Sequence, residues 1–242
     1  MSNEINEIKY KRVLLKISGE ALAGEAHRGL DFQVIGQVCD VVGRCAASGV
    51  QIGIVVGGGN FWRGIKDGGD RMQRVRADHM GMLATVINAL AVCDSLQQRG
   101  VKARVMTAID MPRIAEPYIR DRAVACLEKG EVVIFGCGTG NPYFSTDTGA
   151  VLKAVEIDAD AILLAKNIDG VYSADPNKDP SAVKFDHISY DEVLARRLGV
   201  MDSTATSLAM DNHMPILVFA LKDPENISRV VRGEAVGTLV EE

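Results

Sequence analysis

Apolar positions follow two patterns along this chain. Short runs rich in Val, Ile and Leu occupy residues 12–17, 50–56, 102–106, 131–135 and 161–165, and each predicts a buried strand. Between them, apolar residues recur every three or four positions. Phe32, Ile35, Val38, Val42 and Cys45 follow Asp31, which predicts a helix capped by Asp31, packed through that stripe and ended by Gly49. A long amphipathic helix is predicted over 77–99 and closed by Gly100. Another begins at Pro117 and stops at Gly130, and a third covers 146–157.

Strands thus alternate with helices, and each crossover is long enough for a βαβ unit. The predicted class is α/β: an open, mainly parallel twisted sheet with helices on both faces. Residues 166–189 break the rhythm with Asp-Gly and Asp-Pro turns, and there Val171-Tyr172 and Val183-Lys184-Phe185 are placed to pair as a small hairpin. Helices return at 190–198 and 204–212, and closing strands at 215–220 and 238–240. A polar tail, 1–9, precedes a single domain, 10–242, with a lobe boundary near Ala165.

The chain has 242 residues, 47% hydrophobic and 24% charged, which suffices for a sizeable core and excludes disorder and collagen-like repeats. A formal charge of −5 argues against a broad nucleic-acid surface. It leaves room for a nucleotide-sized anion held by a few local cations. Cys39, Cys45, Cys93, Cys126 and Cys137 include no C-x-x-C pair, so they read as reduced buried thiols rather than a zinc site or disulfide framework. The tail carries Glu4 and Glu7, unlike a signal peptide. The most apolar stretch, 81–92, is interrupted by Thr85 and Asn88 and is too short to span a bilayer. The expected location is therefore the cytoplasm, with no membrane partner. His27, His79, His187 and His213 are scattered, and no protein-held metal is expected.

What the composition leaves over is a glycine excess gathered into two knots, Gly57-Gly58-Gly59 and Gly136, Gly138, Gly140. In an open parallel sheet, ligands bind beyond the C-terminal ends of the strands. Four segments fall there: Lys16-Ile-Ser-Gly-Glu20, Gly57-Gly-Gly-Asn60, Gly136-Cys-Gly-Thr-Gly-Asn141 and Lys166-Asn-Ile-Asp-Gly170. The Walker loop, the Rossmann fingerprint, G-x-S-x-G and H-E-x-x-H are all absent from the sequence. Glycine-rich turns and helix starts can instead cradle phosphates through backbone N–H groups. Lys16 ends a strand that looks central, so a merely solvated lysine there needs a reason. Lys16 and Arg63 could together neutralise a transferring phosphoryl group. Asp147 reads either as a first-turn helix acid or as the group that orients a lysine. Arg71, Arg74 and Arg76 read as a solvated helix face.

These segments coincide with motifs of a known family. From about Tyr10 to Val240 the chain resembles the bacterial-type UMP kinases of the amino acid kinase superfamily. The resemblance is carried by Tyr10-Lys-Arg-Val-Leu-Leu-Lys-Ile-Ser-Gly-Glu-Ala-Leu22, Val56-Gly-Gly-Gly-Asn-Phe-Trp-Arg-Gly64, Ala77-Asp-His-Met-Gly-Met-Leu-Ala-Thr85, Gly138-Thr-Gly-Asn-Pro-Tyr-Phe-Ser-Thr-Asp147 and Asp169-Gly-Val-Tyr-Ser-Ala-Asp-Pro176.

The resemblance implies an αβα sandwich and reversible transfer of the γ-phosphoryl of Mg-ATP to UMP, giving UDP and ADP in pyrimidine nucleotide biosynthesis. It further implies a homohexamer activated by GTP and inhibited by UTP, with an acceptor lobe over 10–165 and an ATP lobe over 166–242. It assigns catalysis to Lys16, Arg63 and Asp147. ATP would meet Lys16, Ile17, Ser18, Gly19, Gly59 and Arg63 through its phosphates, and Lys166, Asn167, Tyr172 and Asp175 through its adenosine. UMP would meet Gly58, Asp78, and the run Thr139, Gly140, Asn141, Pro142, Tyr143, Phe144, Ser145 and Thr146. Gly24, Glu25, Ala26, His27, Arg28 and Gly29 match the stretch linked to GTP activation. Mg²⁺ would arrive with ATP.

The chain departs from the family pattern in three places: Ala165-Lys166-Asn167 stands where some members have Thr-Lys, His27 and Arg28 fall in a variable part, and Ser145 replaces a common threonine. A nucleotide-binding regulator without turnover is the alternative from another class, and retention of Lys16, Arg63 and Asp147 argues against it. A relative acting on carbamate or an amino acid is opposed by Asp78-His-Met-Gly-Met82 and Asn141-Pro-Tyr-Phe-Ser-Thr146.

Overall fold

The computed structural model describes residues 8–63 and 67–242; residues 1–7 of the predicted tail and Gly64 of the second motif lie outside the described residues. The elements are, in order, β1 (Arg12–Ile17), α1 (Phe32–Ala47), β2 (Gln51–Val56), α2 (Arg74–Gln98), β3 (Ala103–Thr107), β4 (Glu116–Pro117), α3 (Arg120–Glu128), β5 (Val132–Gly136), α4 (Thr146–Glu156), β6 (Ala161–Lys166), β7 (Val171–Tyr172), β8 (Lys184–Phe185), β9 (His187–Ser189), α5 (Tyr190–Ala195), α6 (Ser203–Asp211), β10 (Ile216–Ala220), α7 (Glu225–Val231) and β11 (Thr238–Glu241). A short 3₁₀ segment, Gly19–Ala26, follows β1.

Nine strands form one sheet in the order β4-β3-β5-β2-β1-β6-β10-β11-β9. β10 and β11 run antiparallel, whereas β1, β2, β3, β5, β6 and β10 run parallel with their neighbours in the central sheet. Alternate residues of each strand point to opposite faces. On β1, Val13, Leu15 and Ile17 join a core with α1, α2 and α7, while Leu14 joins a second core with α3, α4 and α6. Burial on both faces explains the unbroken apolar runs. Asp31 caps α1 as expected, accepting from the backbone N–H groups of Gln33 (2.9 Å) and Val34 (3.2 Å). The hairpin also forms, with Val171 opposite Phe185 and Tyr172 opposite Lys184.

Four expectations are corrected. Pro117 does not begin a helix: Glu116–Pro117 is the edge strand β4, and α3 starts at Arg120. Proline lacks a ladder donor and suits an edge, and Arg104 fastens Glu116 there at 2.8 Å. Phe32 does not join the packed stripe of α1; at the helix's first position it is 67% exposed. The long helix α2 begins at Arg74, three residues earlier than its apolar pattern indicated. The pattern also left out β9 and α7, which are too short for a periodic signal. Among the described residues α2 is long and apolar enough to cross a membrane, yet it packs on the sheet through Thr85, Asn88, Ala89, Val92 and Leu96.

Candidate active site

β1 is the strand at which the chain changes its direction of travel across the sheet. β2 pairs on one side and β6 on the other, and a crevice opens beyond the C-terminal ends of such strands. Lys16 shares the α4-facing side of β1 with Leu14. Its Nζ lies 2.7 Å from Asp147 Oδ1, in the first turn of α4. The strand ends lie unusually close. A Cβ on Gly19 would stand 2.3 Å from the Gly57 carbonyl oxygen, and one on Gly58 would stand 2.8 Å from Gly81 O and Ala84 Cβ. Glycine at both positions lets the first knot wedge between β1 and α2.

The knot is braced from below. Asn60 and Asn88, both buried, exchange amide hydrogen bonds at 2.9 and 2.8 Å. Asn88 Nδ2 also donates to Gly57 O (2.6 Å), and Asn60 Nδ2 to Gly29 O (2.6 Å). Thr85 takes the N–H of Cys137 on its hydroxyl at 2.9 Å, which ties α2 to the second knot.

A cleft of about 470 Å³ lies above the knot. It brings together Lys16, Ser18, Gly19, Gly58, Gly59 and Arg63 with Asp78, Thr139, Tyr143, Phe144, Ser145 and Thr146. Each cation on its wall has a carboxylate partner. Lys16 has Asp147; Arg63 has Glu20; Arg74 Nε lies 2.8 Å from both oxygens of Asp78. Asp78 Oδ2 also accepts the Tyr143 N–H at 2.8 Å, so the 139–146 loop hangs on α2. Tyr143 holds a left-handed φ of 73°, and the residue is 67% exposed beside the 52% exposed Phe144. Ser145 caps α4, taking the N–H of Thr148 at 3.0 Å, so the helix presents its N-terminus to the cleft.

Other predicted residues lie elsewhere. The Ile17 side chain is wholly buried and faces away, so only its backbone borders the knot, accepting the Gly57 N–H at 2.9 Å. Gly140, Asn141 and Pro142 stand outside the cleft wall, and Thr139 Oγ1 accepts the Asn141 N–H at 3.2 Å in a turn. A second cavity of about 480 Å³ gathers Lys166, Tyr172 and Asp175 with Gly199 and Val200. Lys166 Nζ donates to the carbonyls of Gly199 (3.2 Å) and Val200. Burial lowers its pKa, the Lys16 charge adds to that, and Asp147 opposes it. The Asp175 carboxyl is held below its usual range, chiefly by the Asn177 N–H. Asn167 turns into a third cavity of about 430 Å³, lined also by Glu20, Gly24, His27 and Lys222. Glu25, Ala26 and Arg28 are exposed, and Gly29 donates its N–H to Asn60 O at 3.1 Å. Of the Lys166–Asn167 pair, Lys166 is the one that shares a cavity with Tyr172 and Asp175.

Comparison with known proteins bears on this arrangement. The model of the amino acid kinase family matches residues 11–220. The chain belongs to the amino acid kinase family. It is similar to the UMP kinase of Bacillus anthracis (39% identity, 96% of each chain covered, TM-score 0.92). It is likewise similar to the UMP kinase of Ureaplasma parvum (35% identity, 96% of this chain and 99% of that one, TM-score 0.90) and to the uridylate kinase of Archaeoglobus fulgidus (31% identity, 94% and 99%, TM-score 0.73).

Three site residues of this amino acid kinase escaped sequence reasoning. Arg74 reads as part of a solvated arginine cluster, yet it lines the cleft. Thr85 closes the 77–85 motif but is given no role there; two polar residues three apart on a buried face, Thr85 and Asn88, were the usable signal. Asp202 caps α6 through the Ala205 N–H (3.0 Å) and also accepts the Ser145 hydroxyl, so it joins α6 to the start of α4. Cys137 lines the cleft too, but burial raises its pKa and keeps it a thiol, unsuited to act as a nucleophile at neutral pH.

Proposed function

We propose that this amino acid kinase transfers the γ-phosphoryl group of Mg-ATP to UMP, giving UDP and ADP. One observation carries the reading: Lys16, the glycine knot and Arg63 share a single cleft with Asp78, Thr139 and residues 143–146. The donor phosphates and a nucleoside monophosphate can therefore meet there. The likeness to UMP kinases over nearly the whole chain supports the choice of acceptor.

In this reading a UMP phosphate oxygen attacks Pγ, and the bond from Pγ to the bridging oxygen of ADP breaks. The nucleophile is already ionised, so positioning and charge supply the catalysis and no general base is needed. Lys16 meets the transferring group and Asp147 holds Lys16. Arg63 exchanges Glu20 for phosphate oxygens. Ser18, Gly19 and Gly59 offer backbone to the donor phosphates, and Lys166, Tyr172 and Asp175 border the donor base. Gly58 approaches the UMP phosphate, Asp78 takes ribose hydroxyls, and Thr139 with residues 143–146 encloses uridine. Mg²⁺ belongs to the ATP substrate and neutralises its phosphates.

The lobes divide at 165/166, with the acceptor side before and the donor side after. The enzyme works in the cytoplasm as a homohexamer activated by GTP and inhibited by UTP. An exposed apolar seam on α2, Met80, Leu83, Ile87 and Leu90, supports assembly. The test is a coupled assay of ADP release with UMP, CMP, AMP and GMP, each with and without GTP. Turnover with UMP far above the other three is expected; equal turnover of UMP and CMP would remove the acceptor assignment.

A further inference from the structure

The cleft must admit an anionic acceptor beside the carboxylate of Asp78, and something has to make that tolerable. Asp78 is 14% exposed at its side chain, so solvent screens it little. Lys16 and Arg63 are matched to Asp147 and Glu20, which leaves them no charge to spare for Asp78. Arg74 supplies what is missing. Its Nε sits 2.8 Å from both carboxylate oxygens, and its guanidinium lies 5.2 Å from the centroid of the Tyr143 ring. Tyr143 in turn donates its N–H to the same carboxylate. Arg74, Asp78 and Tyr143 thus form a closed unit of charge, hydrogen bonds and cation–π contact on the acceptor wall.

We infer that Arg74 is a positioning residue for the acceptor. It neutralises and orients Asp78, so that the carboxylate can accept hydroxyl hydrogen bonds without repelling the acceptor's phosphate, and it steadies the loop through Tyr143. This rests on the reading of the cleft as a nucleoside monophosphate site and adds a residue to it. The consequence is specific to charge. Once Arg74 is lost, an acceptor that carries a phosphate suffers more than its neutral nucleoside.

The experiment uses the full-length protein with Arg74→Gln and Arg74→Lys. KM and kcat are measured for UMP and ATP, and the Kd of UMP and of uridine by calorimetry. Arg74→Gln should raise KM and Kd for UMP about tenfold and the uridine Kd, through the loosened Asp78 and loop, by only about threefold, while kcat and the ATP KM stay within about twofold. Arg74→Lys, which keeps the charge but loses the planar fork, should recover part of the loss. Equal weakening of UMP and uridine would make Arg74 a purely structural support and overturn the inference. So would unchanged UMP binding in Arg74→Gln. Circular dichroism on both variants checks folding, and Arg74→Lys keeps the test decisive if the glutamine variant is unstable. Failure of the wild-type protein to turn over UMP would instead remove the underlying functional reading.

Discussion

Lys16 Nζ lies 2.7 Å from Asp147 Oδ1, with only 11% and 21% of the two side chains exposed. That oxygen nevertheless accepts no well-directed hydrogen bond, so charge rather than direction holds the pair. An ammonium held this way is positioned, yet free to turn toward a phosphoryl oxygen. Lys16→Ala should lower kcat by about 10²–10³-fold, the usual effect of removing one preorganised charge from a transition state. Steady-state kinetics beside sedimentation checks this; a near-normal kcat in a normally assembled variant would take Lys16 out of the reaction.

Asn60 and Asn88 brace the first glycine knot from a site that water does not reach, with exposures of 2% and 0%. Asn88→Leu would strand the Gly57 carbonyl and the Asn60 amide oxygen. Each unpaired buried group costs about 1–3 kcal/mol, so a loss of about 3 kcal/mol in urea unfolding is expected. A loss under about 1 kcal/mol, an ordinary value for a point substitution, would show that the lattice is dispensable.

Asp202 holds α6 and α4 together through its two oxygens. Asp202→Ala should lose the cap, worth about 1 kcal/mol, and release Ser145, lowering Tm and raising the KM for UMP more than that for ATP. Asp202→Asn keeps the capping oxygen and can still bond Ser145, so Tm and KM should stay close to wild type. Equal loss in both variants would mean that the negative charge, not the bonding, is what matters.

The sequence and the structure agree where burial alone decides. The runs at 12–17 and 161–165 are strands because both their faces are covered, and Asp31 caps α1 because local chemistry suffices. They part where a neighbour distant in sequence decides. Pro117 becomes an edge strand because β3 is beside it. Arg74 leaves the solvated face assigned to it because the loop carrying Tyr143, far along the chain, folds over α2. Asp202 has no motif at all; its partner Ser145 is 57 residues away. Family motifs mark the residues expected to meet ligand together with some that brace them, Asn60 and Thr85 among these, and leave Asn88, Arg74 and Asp202 unmarked.

Alkaline pH should destabilise the native protein. Burial raises the pKa of Cys39, Cys45, Cys93, Cys126 and Cys137, with Cys93 pushed up to about 11. Unfolded thiols release their protons near the ordinary value of about 8.5. Above it the unfolded chain therefore binds fewer protons than the native one, and stability falls as pH rises. Lys166 acts in the opposite sense, since its pKa is lowered in the fold and its contribution grows toward alkaline pH. One lysine opposes five thiols, so the net slope is downward. Tm under reducing conditions should fall steadily from about pH 8.5 toward 11. Native thiols should resist a thiol reagent at neutral pH until denaturant is added. A Tm that is flat or rises across this range would contradict the assignment.

Met80, Leu83, Ile87 and Leu90 are 39%, 52%, 46% and 40% exposed and follow one another at three- and four-residue steps along α2. That spacing makes a narrow seam suited to a facing helix. A seam of this kind is self-complementary across a two-fold axis, so a second copy of the chain can cover it with the same residues. The opposite face of the same helix carries Asn88 and Thr85, which brace the two glycine knots. Assembly through α2 would therefore stiffen the helix on which the cleft is built. Leu83→Glu places a charge in the seam while costing the isolated chain little, within about 0.5 kcal/mol for an exposed position. Sedimentation should show a smaller species with an unchanged circular dichroism spectrum, and activity per chain should fall with it. A wild-type sedimentation coefficient in this variant would exclude α2 from the contact, and normal activity in a dissociated variant would uncouple assembly from the cleft.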